Sequence, residues 1–293
     1  MKKLVLGIVC LLFVTTDAFA QNYIEPAYSK EVTKGAWEAT LYSRYIGEAD
    51  VHRMSGQVQV SETELDLTYD FKLSNGLPIA LSIVNRHLDI DNSTAVNLPN
   101  HLEGRTLGIS TRFPIPFIKS DQYFMGLDVY PSLFTDGWSW EDGAFRVPFR
   151  TYLIYRRSEK FILVGGVHAR PGYADQVLPL VGLIWKPNDR LSFNLASSEP
   201  NISYQLSENW KAFVEFGLTN EEYEVTRGIH KNVVLIHKSY SSGVGVRYTV
   251  KDSVDASLSV GGVFARRFEY RDTHQEVEPD PGVYAKAEVS ARF

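Results

Sequence analysis

The sequence predicts an all-β protein: a transmembrane antiparallel up-and-down β-barrel of about 14 strands, with about 12 as the alternative. Three observations predict it. From Ala36 to Phe293, short segments of period-2 hydrophobic alternation follow one another, with no helical periodicity beyond a turn or two. The connectors between these segments alternate between tight and long. The amino terminus has the form of an export signal.

That terminus comes first in the chain. Met1-Lys2-Lys3 is basic, Leu4 to Val14 is apolar, and Ala18-Phe19-Ala20 precedes Gln21 as a small-residue cleavage site. Residues 1–20 therefore read as a cleaved signal peptide, its apolar core too short to span as a helix. The single cysteine, Cys10, lies inside it, so the mature chain has no disulfide to staple it. Residues 21–35 are polar and aperiodic, a periplasmic lead-in, and residues 36–293 are the barrel.

Within the barrel the alternation is regular. Trp37, Ala39, Leu41 and Tyr45 oppose Glu38, Thr40 and Arg44. Leu65, Leu67, Tyr69, Phe71 and Leu73 oppose Glu64, Asp66, Thr68, Asp70 and Lys72, and Ser74-Asn75-Gly76 then turns the chain. The same pattern recurs through Leu107 and Ile109, Tyr123 to Val129, Phe145 to Tyr155, Phe161 to Val167, Val181 to Trp185, Trp210 to Leu218, Val244 to Val250 and Val254 to Val260. Tight connectors fall near residues 75, 159, 188, 208 and 252, with a slightly longer Pro114–Ser120 link. Long ones fall near 47–56, 89–103, 135–143, 171–176, 220–230 and 271–281. An even strand number puts both ends on one side of the membrane. The short 190–207 hairpin is what leaves the 12-strand alternative open.

Composition excludes little of this. The net charge is −5, with 30 basic and 35 acidic residues scattered, which is no footprint for nucleic acid. No apolar run after Val14 is long enough for a membrane helix, but in a spanning strand only every second residue meets lipid. The 16 Tyr, 16 Phe and 5 Trp suit interfacial girdles as well as a soluble β core.

The last strand sharpens the assignment. Val283, Ala285, Ala287, Val289 and Ala291 alternate with Tyr284, Lys286, Glu288, Ser290 and Arg292, and the chain ends on Phe293. This resembles the last strand of Gram-negative outer-membrane β-barrel proteins, and the whole chain from about residue 36 shares the resemblance. It implies that Phe293 is the assembly signal read by the barrel assembly machinery. It also implies an outer-membrane location, among outer-membrane lipid and lipopolysaccharide. The Lys186–Phe216 stretch resembles a family of such barrels known only as a domain of unknown function.

Catalytic motifs are missing: there is no G-x-S-x-G, H-E-x-x-H, P-loop or G-x-G-x-x-G. No enzyme, cofactor or metal site is predicted. Histidines 52, 87, 101, 230, 237 and 274 fall in or beside connectors and read as solvated loop residues. His168 is expected to point into the lumen near the outer rim beside Arg170, where half of a Ser/His lipid-hydrolysing site would sit, without a Ser or acid partner assignable by spacing. Asp89-Ile90-Asp91-Asn92-Ser93 offers oxygen ligands but lacks the rest of a Ca²⁺ loop, so it reads as a polar loop. The outer loops carry Asp136, Glu141, Asp142, Glu221, Glu222, Glu224, Asp272, Glu276, Glu278 and Asp280, read as hydrated charge. Trp138-Ser139-Trp140 reads as part of an interfacial girdle.

The inward face carries the functional content. By parity its lumen-lining candidates are Arg44, Asp66, Asp70, Arg86, Arg112, Asp128, Arg146, Arg150, Arg156, His168, Glu215, Arg247, Lys286 and Glu288. In a wide lumen these charges line a pore; in a narrow one they pair and fill it. The expected function is passive passage of small solutes. The alternatives are a structural or surface-interaction barrel with ligand-binding outer loops, and a lipid-modifying enzyme or transporter of hydrophobic compounds.

Overall fold

The computed structural model describes residues 35–115, 117–118, 120–137, 144–197, 199–227, 230–250 and 253–293. The expected signal peptide and most of the lead-in, and the Trp138-Ser139-Trp140 girdle element with Glu141 and Asp142, lie outside the described residues.

The chain is a closed 14-strand antiparallel β-barrel. Its strands are β1 (Ala36–Asp50), β2 (Gln57–Lys72), β3 (Pro78–Asn92), β4 (His101–Pro114), β5 (Tyr123–Val129, continuing as Ser132–Thr135), β6 (Phe145–Arg146, continuing as Phe149–Ser158) and β7 (Phe161–Ala169). Then come β8 (Val177–Trp185), β9 (Leu191–Asn194), β10 (Asn201–Gln205), β11 (Trp210–Arg227), β12 (His230–Val250), β13 (Val254–Tyr270) and β14 (Glu276–Val277, continuing as Gly282–Arg292). Each strand pairs with the next, and β14 closes on β1 from Glu38↔Arg292 to Ile46↔Tyr284. Closure satisfies the backbone groups that an open edge would leave bare in lipid. Fourteen rather than 12 is settled by β9 and β10, which are only 4 and 5 residues long yet pair with β8, with each other and with β11.

The apolar faces point outward. Leu41, Leu65, Ile83, Leu107, Leu153, Val244 and Leu258 are all exposed, forming the band that a spanning barrel turns to lipid. At the end bearing the tight turns, paired aromatics ring the wall. Trp37 packs on Tyr69, Tyr123 on Tyr155 and Trp210 on Tyr248 with tilted rings, and Trp185 stacks on Phe193, with centroids 4.8, 5.0, 4.9 and 5.1 Å apart. These amphipathic rings suit the membrane–water boundary.

Two irregularities interrupt the strands, and only the second re-aims side chains. Pro131 and Pro148 interrupt the hydrogen bonding of β5 and β6 because neither has an N–H, but the register runs through both unchanged. In β13 a bulge opposite Ser239 inserts one residue, and Ala265 there adopts φ +50°. The bulge leaves both Phe264 and Ala265 outward and switches the inward parity, so that Arg266, Phe268 and Tyr270 turn inside. A left-handed conformation costs a residue with a Cβ about 1–2 kcal/mol, and a β-branched one more. Ala265→Val should therefore lower the urea midpoint, by about 1–2 kcal/mol of stability, while Ala265→Gly stays at or above the parent.

The short β10 has a consequence for the lumen. It accompanies β11 only as far as Glu215, so beyond Phe216 one edge of β11 has no neighbouring strand. β11 and β12, 18 and 21 residues long, continue as a hairpin that leans across the barrel to the opposite wall. There Glu224 meets Thr135 of β5 in a parallel bridge, and Tyr223 packs edge-on to Phe134 at 5.3 Å.

Candidate functional site

The barrel interior divides along its axis into three zones. The half nearer the long loops is filled by an apolar core that includes Ile46, Val60, Leu88, Ile90, Leu102, Phe134, Tyr223, Leu235, Phe268 and Tyr284. These residues come from both walls and from the leaning hairpin, so the lumen is closed at this level. At the turn end a polar cavity of about 600 Å³ opens between Glu38, Lys186, Arg190, Asn201, Glu215, Arg247, Asp255, Glu288 and Arg292. On its rim Lys160 Nζ donates to Asp189 at 2.7 Å, which holds that carboxyl below its usual range. Between plug and vestibule lies a belt of buried charge.

The structure places all fourteen lumen-lining candidates on inward positions of their strands. They do not form one cluster but two walls of different character. On one wall Arg86 pairs with Glu64 at 2.5 Å, with Glu62 at 3.5 Å and with Glu221 of the hairpin. Arg44 pairs with Glu62 at 3.2 Å, and Tyr42 donates to the same carboxylate at 2.7 Å. Lys286 joins Glu199 at 2.5 Å and Glu288 at 3.3 Å, and Arg247 reaches Glu288 at 3.1 Å. Glu215 accepts from Tyr284 at 2.7 Å and Ser259 at 2.5 Å. Toward the turn end Arg292 pairs with Glu38 at 3.0 Å and approaches Asp70 at 3.8 Å, while Asp66 accepts from Thr68 at 3.1 Å. Opposite charges neutralise one another locally on this wall, as buried ions require.

The wall formed by β4–β7 is basic. Arg112, Arg146, Arg150, Arg156 and Arg170 point inward from it, and Asp128 is the one acid among the described residues of that face. Several of these guanidinium groups lie over aromatic rings: Arg146 and Arg170 over Tyr173 at 4.4 and 4.0 Å, Arg150 over Tyr130 at 5.1 Å, Arg156 over Phe124 at 5.2 Å. His168 sits in register between Arg150 and Leu178, one inward position from Arg170.

This wall also receives the bare edge of β11. Arg170 Nη2 donates to the Asn220 carbonyl at 2.7 Å and Arg146 Nη1 to the Glu222 carbonyl at 2.9 Å. Asp136 accepts the Thr226 N–H at 2.7 Å. Residues 220, 222, 224 and 226 thus find partners in turn along the unaccompanied edge, where an unmade backbone hydrogen bond would cost most. Above it, Glu222 accepts from the Ala174 N–H at 2.6 Å and meets Arg271 at 3.3 Å. In the same 171–176 loop, the hydrogen bond from Lys238 at 3.0 Å holds the Asp175 carboxyl below its usual range.

Several expectations are corrected here. Residues 220–230 are not a hydrated loop: most belong to the hairpin, and Glu221, Glu222 and Glu224 are buried. His237 is not a solvated loop histidine but is buried, stacked on Phe268 at 4.5 Å. Asp89 and Asp91 lie in β3 rather than in a polar loop, with Ile90 buried between them. Glu62, Glu199 and Arg266 join the interior without having been singled out, and Glu221 joins it from a stretch read as loop. Glu62 shares the parity of Glu64, so the alternation itself points to it; Glu221 was hidden by the loop assignment, and Arg266 by the bulge.

No curated protein matches the chain. A family model described as "Domain of unknown function (DUF6268)" matches residues 145–277, a span that contains the Lys186–Phe216 stretch. Among solved structures the chain is similar to the COG4313 outer membrane channel from Pseudomonas putida F1, with a TM-score of 0.49 and 13% identity over 92% of this chain and 100% of that one. It is also similar to a Pseudomonas aeruginosa FadL homologue, with a TM-score of 0.50 and 11% identity over 89% of this chain and 90% of that one, a likeness of fold.

Proposed function

We propose that this protein is an outer-membrane channel for small polar solutes, seen here with its lumen closed by the β11–β12 hairpin. The observation that carries the reading is the unequal charge of the two walls. An interior that served only to fill a barrel would pair its ions locally, as β1–β3, β11 and β14 do. Five arginines against one aspartate on β4–β7 give that wall a basic excess, only part of which the hairpin's Glu222 offsets at Arg146, and the excess sets a field that acts on polar or charged solutes entering from the vestibule. The hairpin is the movable part in this reading, since above Phe216 the outer edge of β11 is held by side-chain contacts and a single bridge to Thr135 rather than by a continuous strand ladder.

The surroundings implied are outer-membrane lipid and lipopolysaccharide, with export by the amino-terminal signal. Phe293, exposed at the end of β14, would be the residue the barrel assembly machinery reads. The loop-half apolar core favours a second reading, a permanently closed structural or surface-interaction barrel. Planar-bilayer recordings separate the two. The parent barrel should open rarely, and Glu221→Gln combined with Tyr223→Ala, which loosens the hairpin, should increase open time at least tenfold. If both stay silent while migrating as folded, heat-modifiable barrels, the channel reading fails and the closed barrel stands.

A further inference from the structure

We infer that the outward face of β3 and β4, at the loop rim, is a binding site for a divalent transition-metal ion of the Zn²⁺ type, held by His87, His101 and Glu103 with solvent in the fourth position, while Asp89 orients His101 through its other ring nitrogen. The register brings these residues together: His87 lies directly opposite Glu103, and Asp89 directly opposite His101. All four occupy odd-numbered positions and so share one face of the ladder. The two imidazole rings are 3.9 Å apart between centroids, at 67°. Ligand atoms of His87, His101 and Glu103 all lie within 4.8 Å of one another. Asp89 Oδ1 is 3.3 Å from His87 Nε2 and 3.2 Å from His101 Nδ1, and Glu103 Oε1 is 3.1 Å from His101 Nε2.

Tetrahedral donors about 2.0–2.1 Å from a zinc ion stand roughly 3.3 Å from one another, and the His101–Glu103 pair at 3.1 Å already has that spacing. Two imidazoles with a carboxylate suit Zn²⁺, Cu²⁺ or Ni²⁺ better than Ca²⁺ or Mg²⁺, which prefer all-oxygen shells. Arg105 engages the other oxygen of Glu103 and so orients the carboxylate, as outer-shell partners of metal ligands do. A bland arrangement of His–Asp ion pairs explains each contact singly. It does not explain why two half-exposed histidines are packed ring to ring with carboxylates on both flanks. The site is reachable from water: Asp89 is exposed, and both histidines are partly so. It shares no residue with the lumen, so it stands whether or not the barrel conducts.

The test is a calorimetric titration of ZnCl₂ into the full chain folded in detergent micelles, with MgCl₂ and CaCl₂ as separate titrants. One saturable Zn²⁺ site at micromolar or tighter affinity is expected, together with a Zn²⁺-dependent rise in the unfolding temperature. His87→Ala combined with His101→Ala should weaken binding at least 100-fold and abolish that rise. His274→Ala, at an exposed histidine elsewhere, should leave both unchanged. Zn²⁺ affinity in the millimolar range for the parent, affinity unaltered in the double variant, or equal binding of Ca²⁺ would each overturn the site. Because both substituted side chains are on the outer surface, heat-modifiable gel migration verifies that the double variant is folded.

Discussion

Arg86→Ala should destabilise the folded barrel by about 3–5 kcal/mol, the cost of removing one partner from a buried ionic group. The side chain is 3% exposed and engages Glu62, Glu64 and Glu221. Without it, Glu62 keeps Arg44 and Tyr42, and Glu221 keeps the Tyr223 hydroxyl at 2.5 Å. Glu64 is left as a buried carboxylate with the least compensation. Adding Glu64→Gln and Glu221→Gln to Arg86→Ala removes the stranded charges and should restore most of the loss. Urea unfolding of barrels refolded in lipid vesicles measures all three. A single variant within about 0.5 kcal/mol of the parent, the level of an ordinary surface substitution, would mean that the belt is solvated and the lumen already wet at that height. The experiment therefore reads the closure of the lumen as well as its energetics.

Ile83→Arg tests the opposite face and should cost about 2–4 kcal/mol. Ile83 is 56% exposed, in the middle part of β3, flanked across the ladder by Leu67 and Leu107. In water, an exposed isoleucine is replaced by arginine within about 0.5 kcal/mol. In hydrocarbon, the guanidinium loses its hydration, and the penalty is largest at the midplane. Leu73→Arg, at the turn end of the same outward face, should cost no more than about 1 kcal/mol. Vesicle-refolded variants compared by urea midpoint give the depth dependence directly, and equal small effects at both positions would remove the barrel from the membrane.

Much of the wall was legible in the chain because a strand's period of two is a local property. Once Trp37, Leu41 and Tyr45 are outward, Arg44 must be inward, and the same step places Arg112, Arg150, Glu215 and Lys286 without any tertiary information. That parity survived Pro131 and Pro148, which remove hydrogen bonds but not register. It failed at Ala265, because nothing in the local alternation of Phe264-Ala265-Arg266 marks a residue that will take φ +50°. Loop assignment failed where strands outrun their neighbours. The stretch Glu221-Glu222-Tyr223-Glu224 is acidic and reads as hydrated surface, yet in the folded chain Arg86, Arg146 and Arg271 surround it. Those partners are 49 to 135 positions away in the chain, and no local pattern joins them.

By itself, then, the amino-acid order determined the class, the outward apolar band, the inward charges and the closing strand, all consequences of short-range alternation and turn chemistry. Only the tertiary structure decided that the lumen is shut. A five-residue β10 leaves β11 without a neighbour, and that hairpin must find hydrogen-bond partners across the barrel because its edge is buried in the interior, away from water.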